Sequence, residues 1–217
     1  MSTKTKIILF GCAFVLGFAA FASAFAGDEV DEIVKKLREK YEKIETLQAD
    51  FVQTSIWSLA GEQHQSEGKI YLAEKNKYRV ETDPQLIITD GTIVWTFSKD
   101  REQVIIDELS KSKENPLPRD ILLKYTKDSR AVLLGEIELG GTPCYQIKFQ
   151  PKDENSFIVS TTVWVSKADW LAIQIEQEDL NENLTRYFLK NIVINSPLSD
   201  SLFSLKIPAS VEVVDLR

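Results

Sequence analysis

Between residues 51 and 194 the chain repeats one pattern, apolar and polar residues alternating with a period of two. No other feature limits its folding as strongly. The runs cover residues 51–59, 68–81, 86–89, 92–97, 103–107, 131–139, 145–149, 157–165, 171–177 and 185–194. A period of two places alternate side chains on opposite faces of a sheet. Turn residues separate the runs, at Ala60-Gly61, Asp83-Pro84, Asp90-Gly91, Gly140-Gly141 and Asn181-Glu182-Asn183. Connections this short join antiparallel neighbours. About ten strands in one flat sheet would oppose their natural twist, so strong curvature or closure into a barrel is expected.

Ahead of the strands the period is helical. Val30, Ile33, Val34, Leu37, Tyr41, Ile44 and Leu47 recur at steps of three and four, with Lys, Arg and Glu between them. This predicts an amphipathic helix of about five turns, ending before Gln48-Ala49-Asp50. Asp28 is the expected N-cap, and Glu29, Asp31 and Glu32 suit the positive end of the helix dipole. A short second helix is expected within the meander. There Asn115-Pro116-Leu117-Pro118 opens a segment whose Leu117, Ile121, Leu122 and Tyr125 share a face. The expected fold is mainly β (α+β), with the N-terminal helix and the inserted helix covering the concave face of one curved antiparallel sheet.

The first residues read as a secretory signal. Lys4 and Lys6 precede an apolar stretch over residues 7–25, and Ala24-Phe25-Ala26 supplies the small residues that a signal peptidase reads. Residues 1–26 are expected to be removed after Ala26, with a cut after Ala24 as the competing site. The other reading is a membrane anchor, because the stretch is near spanning length; small residues crowd its C-terminal end, as cleavage requires. A lipoprotein signal at Cys12 leaves too short an apolar stretch ahead of the cysteine.

Residues 27–217 are then expected to form a single periplasmic domain, monomeric. Losing two lysines and no acids moves the formal charge from −7 to −9. Cys12 leaves with the signal and Cys144 remains alone, so no intramolecular disulfide can form. Cys144 reads as a small strand residue with no adjacent base or cation to activate it.

The inventory of reactive groups is poor. Acidic balance argues against nucleic acid, whose binding is dominated by basic contacts to phosphate. His64, the single histidine, falls in the polar run Glu62-Gln63-His64-Gln65-Ser66 and reads as a surface-loop residue. No Gly-x-Ser-x-Gly supplies a nucleophile elbow, and no second His or Cys completes a zinc set. Residues 61–69 have the wrong spacing for a phosphate loop, and Ile70 stands where Ser or Thr is required. The acid pairs Asp153/Glu154 and Glu178/Asp179 read as solvated surface, and the sequon Asn183-Leu184-Thr185 is too short a pattern to weigh. No enzyme activity, metal or cofactor is expected.

One sheet face is consistently large and apolar. Ile93, Trp95 and Phe97 share a side of their strand; Ile70 and Leu72 share one, and Tyr78 and Val80 keep their parity. Val163 and Val165, and Leu171, Ile173 and Ile175, alternate in the same way. Alternation alone is what an ordinary filled core shows. A closed sheet of this size can instead enclose a ligand space.

A resemblance sharpens this reading. The N-terminal helix is followed by Leu47-Gln48-Ala49-Asp50-Phe51-Val52-Gln53, then by Glu67-Gly68-Lys69-Ile70-Tyr71-Leu72 and Tyr78-Arg79-Val80. Ile88-Thr89-Asp90-Gly91-Thr92-Ile93-Val94-Trp95-Thr96-Phe97 comes next, and Phe203-Ser204-Leu205-Lys206-Ile207-Pro208 leads to Val213-Val214-Asp215 near the end. In order and spacing, over about residues 28–215, this resembles the outer-membrane lipoprotein carrier proteins, the LolA family.

The resemblance implies an incomplete β-barrel with helices closing its mouth and an apolar interior that takes lipoprotein acyl chains across the periplasm. Its implied partners are lipoproteins, an inner-membrane lipoprotein-releasing ABC transporter and an outer-membrane acceptor. Acyl-chain contact is expected from Leu37, Phe51, Ile70, Leu72, Tyr78, Val80, Ile93, Trp95, Phe97, Ile121 and Leu122, and a carboxylate in place of Trp95 or Leu72 is expected to abolish cargo binding. A periplasmic module of the same fold that senses lipoprotein or carries glycolipid or phospholipid is the alternative. The chain departs from the family where Lys-Arg-Pro usually follows the Gly-x-x-aromatic strand. It has Ala73-Glu74-Lys75 instead, leaving Arg79 or Lys75 to supply the missing charge.

Overall fold

The computed structural model describes residues 19–110 and 128–217. Helix α1 (Ala19–Glu42) leads into β1 (Leu47–Trp57), β2 (Glu62–Leu72), β3 (Tyr78–Thr82), β4 (Gln85–Thr89), β5 (Ile93–Ser98) and β6 (Gln103–Glu108). After the undescribed stretch come β7 (Ser129–Leu139), β8 (Thr142–Pro151), β9 (Ile158–Ser166), β10 (Ala172–Asp179) and β11 (Leu184–Ile194). A 3-10 turn, η1 (Asp200–Phe203), and β12 (Glu212–Asp215) follow. All twelve strands join one sheet in the order β12-β6-β5-β4-β3-β2-β1-β11-β10-β9-β8-β7. Its two outermost strands, β12 and β7, do not pair with each other, so the curved sheet is an incomplete barrel.

The strands follow the expected antiparallel meander, and the departures from it have local causes. Residues 68–81 are not one strand. A turn separates β2 from β3, with Ala73 N–H donating to the Lys77 carbonyl (2.9 Å) and Lys75 and Asn76 at φ 57° and 60°. Leu72 and Tyr78 pair directly across it. The step between them is even, so the alternation passes through the turn unchanged.

The polar run around His64 is not a loop but the first half of β2, paired with β1 from Trp57↔Glu62 onward. Exposure there removes the apolar signal that marks a strand. β12 pairs in parallel with β6, from Glu212↔Gln103 to Asp215↔Ile106.

The helix also differs at both ends. It already runs at Ala19 and passes through Asp28, which is therefore not its N-cap in the uncut chain. At the other end it stops at Glu42. Lys43 N–H and Ile44 N–H bond back to the carbonyls of Lys40 and Tyr41 in a tightened last turn. Leu47 already belongs to β1, opposite Leu72 and Ile194. Spacings of three from Tyr41 to Ile44 to Leu47 mimic a continued helix because all three residues reach the same core. The short helix expected around Leu117–Tyr125 lies outside the described residues.

α1 packs on what we call the inner face. Val30, Ile33, Val34, Leu37 and Tyr41 are buried against Ile147, Phe149, Val163, Val165 and Ile175 of β8, β9 and β10, with Leu47 and Ala49 of β1 completing the cluster. Each such side chain contributes about 1.5–3 kcal/mol by leaving water. One polar bond pins the helix in place: Ala172 N–H donates to Tyr41 Oη (3.1 Å) in a buried setting. Burial pushes the Tyr41 phenol up to about 12, so it stays neutral. Cys144 is fully buried in β8, and burial raises its thiol as well.

At the boundary between the covered and uncovered parts of the inner face, Phe51 lies across Gly68. A Cβ at Gly68 would sit 2.2 Å from the Glu81 carbonyl oxygen and 2.6 Å from Phe51 Cζ. Glycine here is a requirement of close approach rather than of backbone angle. The ring meets Tyr187 of β11 at 6.5 Å between centroids, tilted by 60°.

Two stability effects are expected in urea unfolding. Tyr41→Phe leaves the buried Ala172 N–H without its acceptor and costs about 1–3 kcal/mol. Gly68→Val drives a methyl into backbone and ring together and costs about 3 kcal/mol or more, with loss of the Phe51–Tyr187 contact in aromatic NMR spectra.

Candidate functional site

On the inner face beside α1, strands β2 to β6 line an open hollow of about 750 Å³. The cross-strand register arranges its lining in tiers. The innermost holds Leu47, Leu72 and Tyr78, in register from β1 to β3. Next come Ile70, Val80, Ile87, Thr96 and Ile105, each paired with the next across β2, β3, β4, β5 and β6. The third tier is polar: Thr82 on β3, Gln85 paired with Ser98, and Ser98 paired with Gln103. Ser66 pairs with Gln53, and His64 lies further toward the rim. Asp83, Asp100 and Arg101 stand at the hairpin tips. Tyr41, Ile44, Ile175, Tyr187 and Leu189 form the wall against the helix and β11.

The order follows from local sequence. Strands β2 and β3 place apolar side chains on alternate residues near the turn that joins them, whereas serine, threonine and glutamine occupy the same parity toward the opposite hairpin tips. The result is a cleft of a size usual for small-molecule sites, apolar at one end and wet at the other. Tyr78 is 3% exposed, and its hydroxyl is buried without a hydrogen-bond partner among the described residues. Burial pushes this phenol up to about 12. The lining offers apolar area, hydroxyls and amides, with His64, Asp83, Asp100 and Arg101 toward the rim, which suits holding a ligand with a sizeable apolar part. Among the described residues no group of three His, Cys, Asp or Glu side chains is placed to hold a metal ion.

Of the residues singled out from sequence, Phe51, Ile70, Leu72, Tyr78 and Val80 line the hollow. Leu37 does not; at 1% exposure it is packed inside the core under the helix. Ile93, Trp95 and Phe97 share a face as expected, but it is the opposite one. Their strand turns Thr96 and Ser98 inward, while Trp95 pairs with Ile88 and Ile106 and Phe97 with Leu86 and Val104 on the outer face. The chain through η1 runs on that outer side, where Arg79 Nη1 donates to the Leu202 carbonyl (3.2 Å). Ile121 and Leu122 lie outside the described residues.

Sequence reasoning missed Ile87, Ile105, Tyr187, Leu189 and the polar tiers. A strand with apolar residues of both parities does not declare its inner side. Register with β3 does: Val80, whose parity is clear, pairs with Ile87, and Ile87 with Thr96. His64 is exposed as expected, yet it stands on β2 at the rim. Neither residue proposed to replace the family's cation reaches the hollow. Arg79 is engaged with Glu81 and Leu202 on the outer face, and Lys75, like Glu74, is exposed in the β2–β3 turn. Among the described residues, the cation that does line the hollow is Arg101.

Comparison with known proteins agrees with this architecture. Residues 42–206 match the model of a family described as outer membrane lipoprotein carrier protein LolA. The outer-membrane lipoprotein carrier protein of Haemophilus influenzae is 26% identical, covering 99% of this chain and 98% of its own. An uncharacterised protein of Methanocaldococcus jannaschii is 24% identical over 89% of this chain, which spans only 56% of that relative's length. In fold, a crystal structure of an uncharacterised conserved protein from Thermus thermophilus superimposes with a TM-score of 0.58 at 13% identity, covering 86% of this chain and 99% of that one. The family match spans the helix end, both halves of the sheet and the segment through η1, and by it this chain belongs to the LolA family of outer membrane lipoprotein carrier proteins.

Proposed function

We propose that this protein is a periplasmic carrier that takes the acyl chains of lipoproteins into the hollow and shuttles lipoproteins from the inner membrane to the outer membrane. The observation that carries the reading is the open apolar cleft beside α1, about 750 Å³ in volume. Family membership supports it, as does the signal-like pattern of residues 1–26 in the sequence. Cleavage after Ala26 would start the mature chain at Gly27, next to the acids that suit a helix start.

No helix of the described residues is long and apolar enough to cross a membrane. The expected partners are lipoproteins, the ABC transporter that releases them from the inner membrane, and an acceptor at the outer membrane.

Energetics shape the mechanism. Each methylene taken from water into the hollow contributes about 0.8 kcal/mol, so long acyl chains are held by tens of kcal/mol gross. Release on a useful timescale requires that opening the site to lipid offset most of that. Direction then comes from an acceptor that binds the chains better than this protein does.

Three experiments test the reading. Leu72→Glu places a carboxylate in the innermost tier and should weaken binding of a triacylated peptide by at least about tenfold, with the circular dichroism of the fold retained. Trp95→Glu acts on the outer face and should lower stability rather than affinity. Depletion in the native host should leave outer-membrane lipoproteins at the inner membrane. Unaltered sorting, with phospholipid or glycolipid extracted from the purified protein, would assign the hollow to a different cargo.

A further inference from the structure

We propose that the tips of three hairpins form a docking surface for a protein partner whose own face is apolar and bordered by lysine and arginine. The tips are those joining β1 to β2, β8 to β9 and β10 to β11. Register sets them side by side at one end of the sheet: Ile56 pairs with Leu184, Leu184 with Glu178, and Asp179 with Ile158. The same end holds the wet rim of the hollow, because Trp57 pairs with Glu62 and His64 follows on β2. Hydrogen bonds tie the tips together. Leu180 N–H donates to the Phe157 carbonyl (3.0 Å), Ser58 N–H to Asn183 Oδ1 (3.2 Å) and Ser58 Oγ to the Glu182 carbonyl.

Each tip exposes a large apolar side chain that packing does not account for. Leu59 is 93% exposed, Leu180 60%, Phe157 58% and Trp57 46%. Grouped apolar side chains left in water mark an interaction site, and Trp and Phe are frequent anchors of protein interfaces. Charge selects the partner. Residues 57–62, 152–157 and 179–183 carry five carboxylates (Glu62, Asp153, Glu154, Asp179 and Glu182) against one cation, Lys152. An anionic bilayer would repel them, and a second copy would set acid against acid. Lysines and arginines around an apolar centre satisfy both features: the charges steer encounter, and the apolar tips leave water on contact. The inference rests on the carrier reading for its candidates, since the transporter and the acceptor must approach the rim for acyl chains to pass.

The probes are the host's lipoprotein-releasing transporter and its outer-membrane acceptor, each purified into nanodiscs of host lipid, with empty nanodiscs beside them. The wild-type protein should bind at least one of the two proteins, and the affinity should fall at least about tenfold as ionic strength rises from about 0.05 to about 0.5 M. The Leu59→Ser/Leu180→Ser variant should lose at least about tenfold in that affinity, and Glu154→Lys/Glu182→Lys should lose as much at low salt. Both variants should bind a triacylated peptide as the wild type does, which also reports an intact fold. Undiminished binding of the variants to the partner, or binding that ignores salt, overturns the surface and leaves the hollow's role standing. Equal binding to empty nanodiscs overturns the protein partner in favour of the bilayer. A wild type that takes up triacylated peptide yet binds neither protein overturns the docking surface; one that takes up no peptide overturns the hollow's role instead.

Discussion

One helix lies on a sheet too wide for it. Twelve strands at their usual spacing measure roughly 50 Å across, whereas a helix with its side chains is about 10–12 Å thick. α1 buries its apolar stripe on β8, β9, β10 and β1 and is tied there by Tyr41 to the Ala172 amide. Beyond that contact the inner face of β2 to β6 still presents apolar side chains of the same parity. Among the described residues, the hollow is what remains when an apolar surface is larger than the helix that covers it.

The boundary between filled and open halves is set by a few residues in direct contact. Phe51 crosses β2 because Gly68 has no side chain, and Tyr187 supports the ring from β11. On one side of it the inner face is a packed core; on the other it lines a cleft. The outer face of β3 to β6 is closed differently. Ile88, Val104 and Ile106 are buried there, and the chain leading to β12 runs across that side before pairing with β6. The outer face of β3 to β6 is thus closed by the protein's own C-terminal segment, whereas the inner face of the same strands lines the open cleft.

Membership of the carrier family and the departure from its Lys-Arg-Pro motif meet in the electrostatics of this cleft. Glu74 and Lys75 lie in an exposed turn at the apolar end, and Arg79 serves the outer face. Among the described residues, the positive charge that lines the cleft, Arg101, stands at the opposite end, on a hairpin tip beside Asp100. Charge is thus absent, among the described residues, from the apolar tiers and sits at the rim, where a charged side chain loses little hydration.

Periodicity alone determined much of this protein. The helix, the meander, the placing of Cys144 on a strand and the apolar parity of Phe51, Ile70, Leu72, Tyr78 and Val80 were all legible, because they are local consequences of side-chain spacing along one element. The inner or outer side of β4 and β5, the break hidden between Leu72 and Tyr78, and the strand formed by the polar run at His64 were not. Each depends on which backbone pairs with which, and a strand with apolar residues of both parities carries no mark of the face it will turn to the core. Tertiary structure decided those points, sending Trp95 and Phe97 outward and bringing Ser66 and Ser98 inward, because cross-strand register couples the orientation of every strand to that of its neighbour.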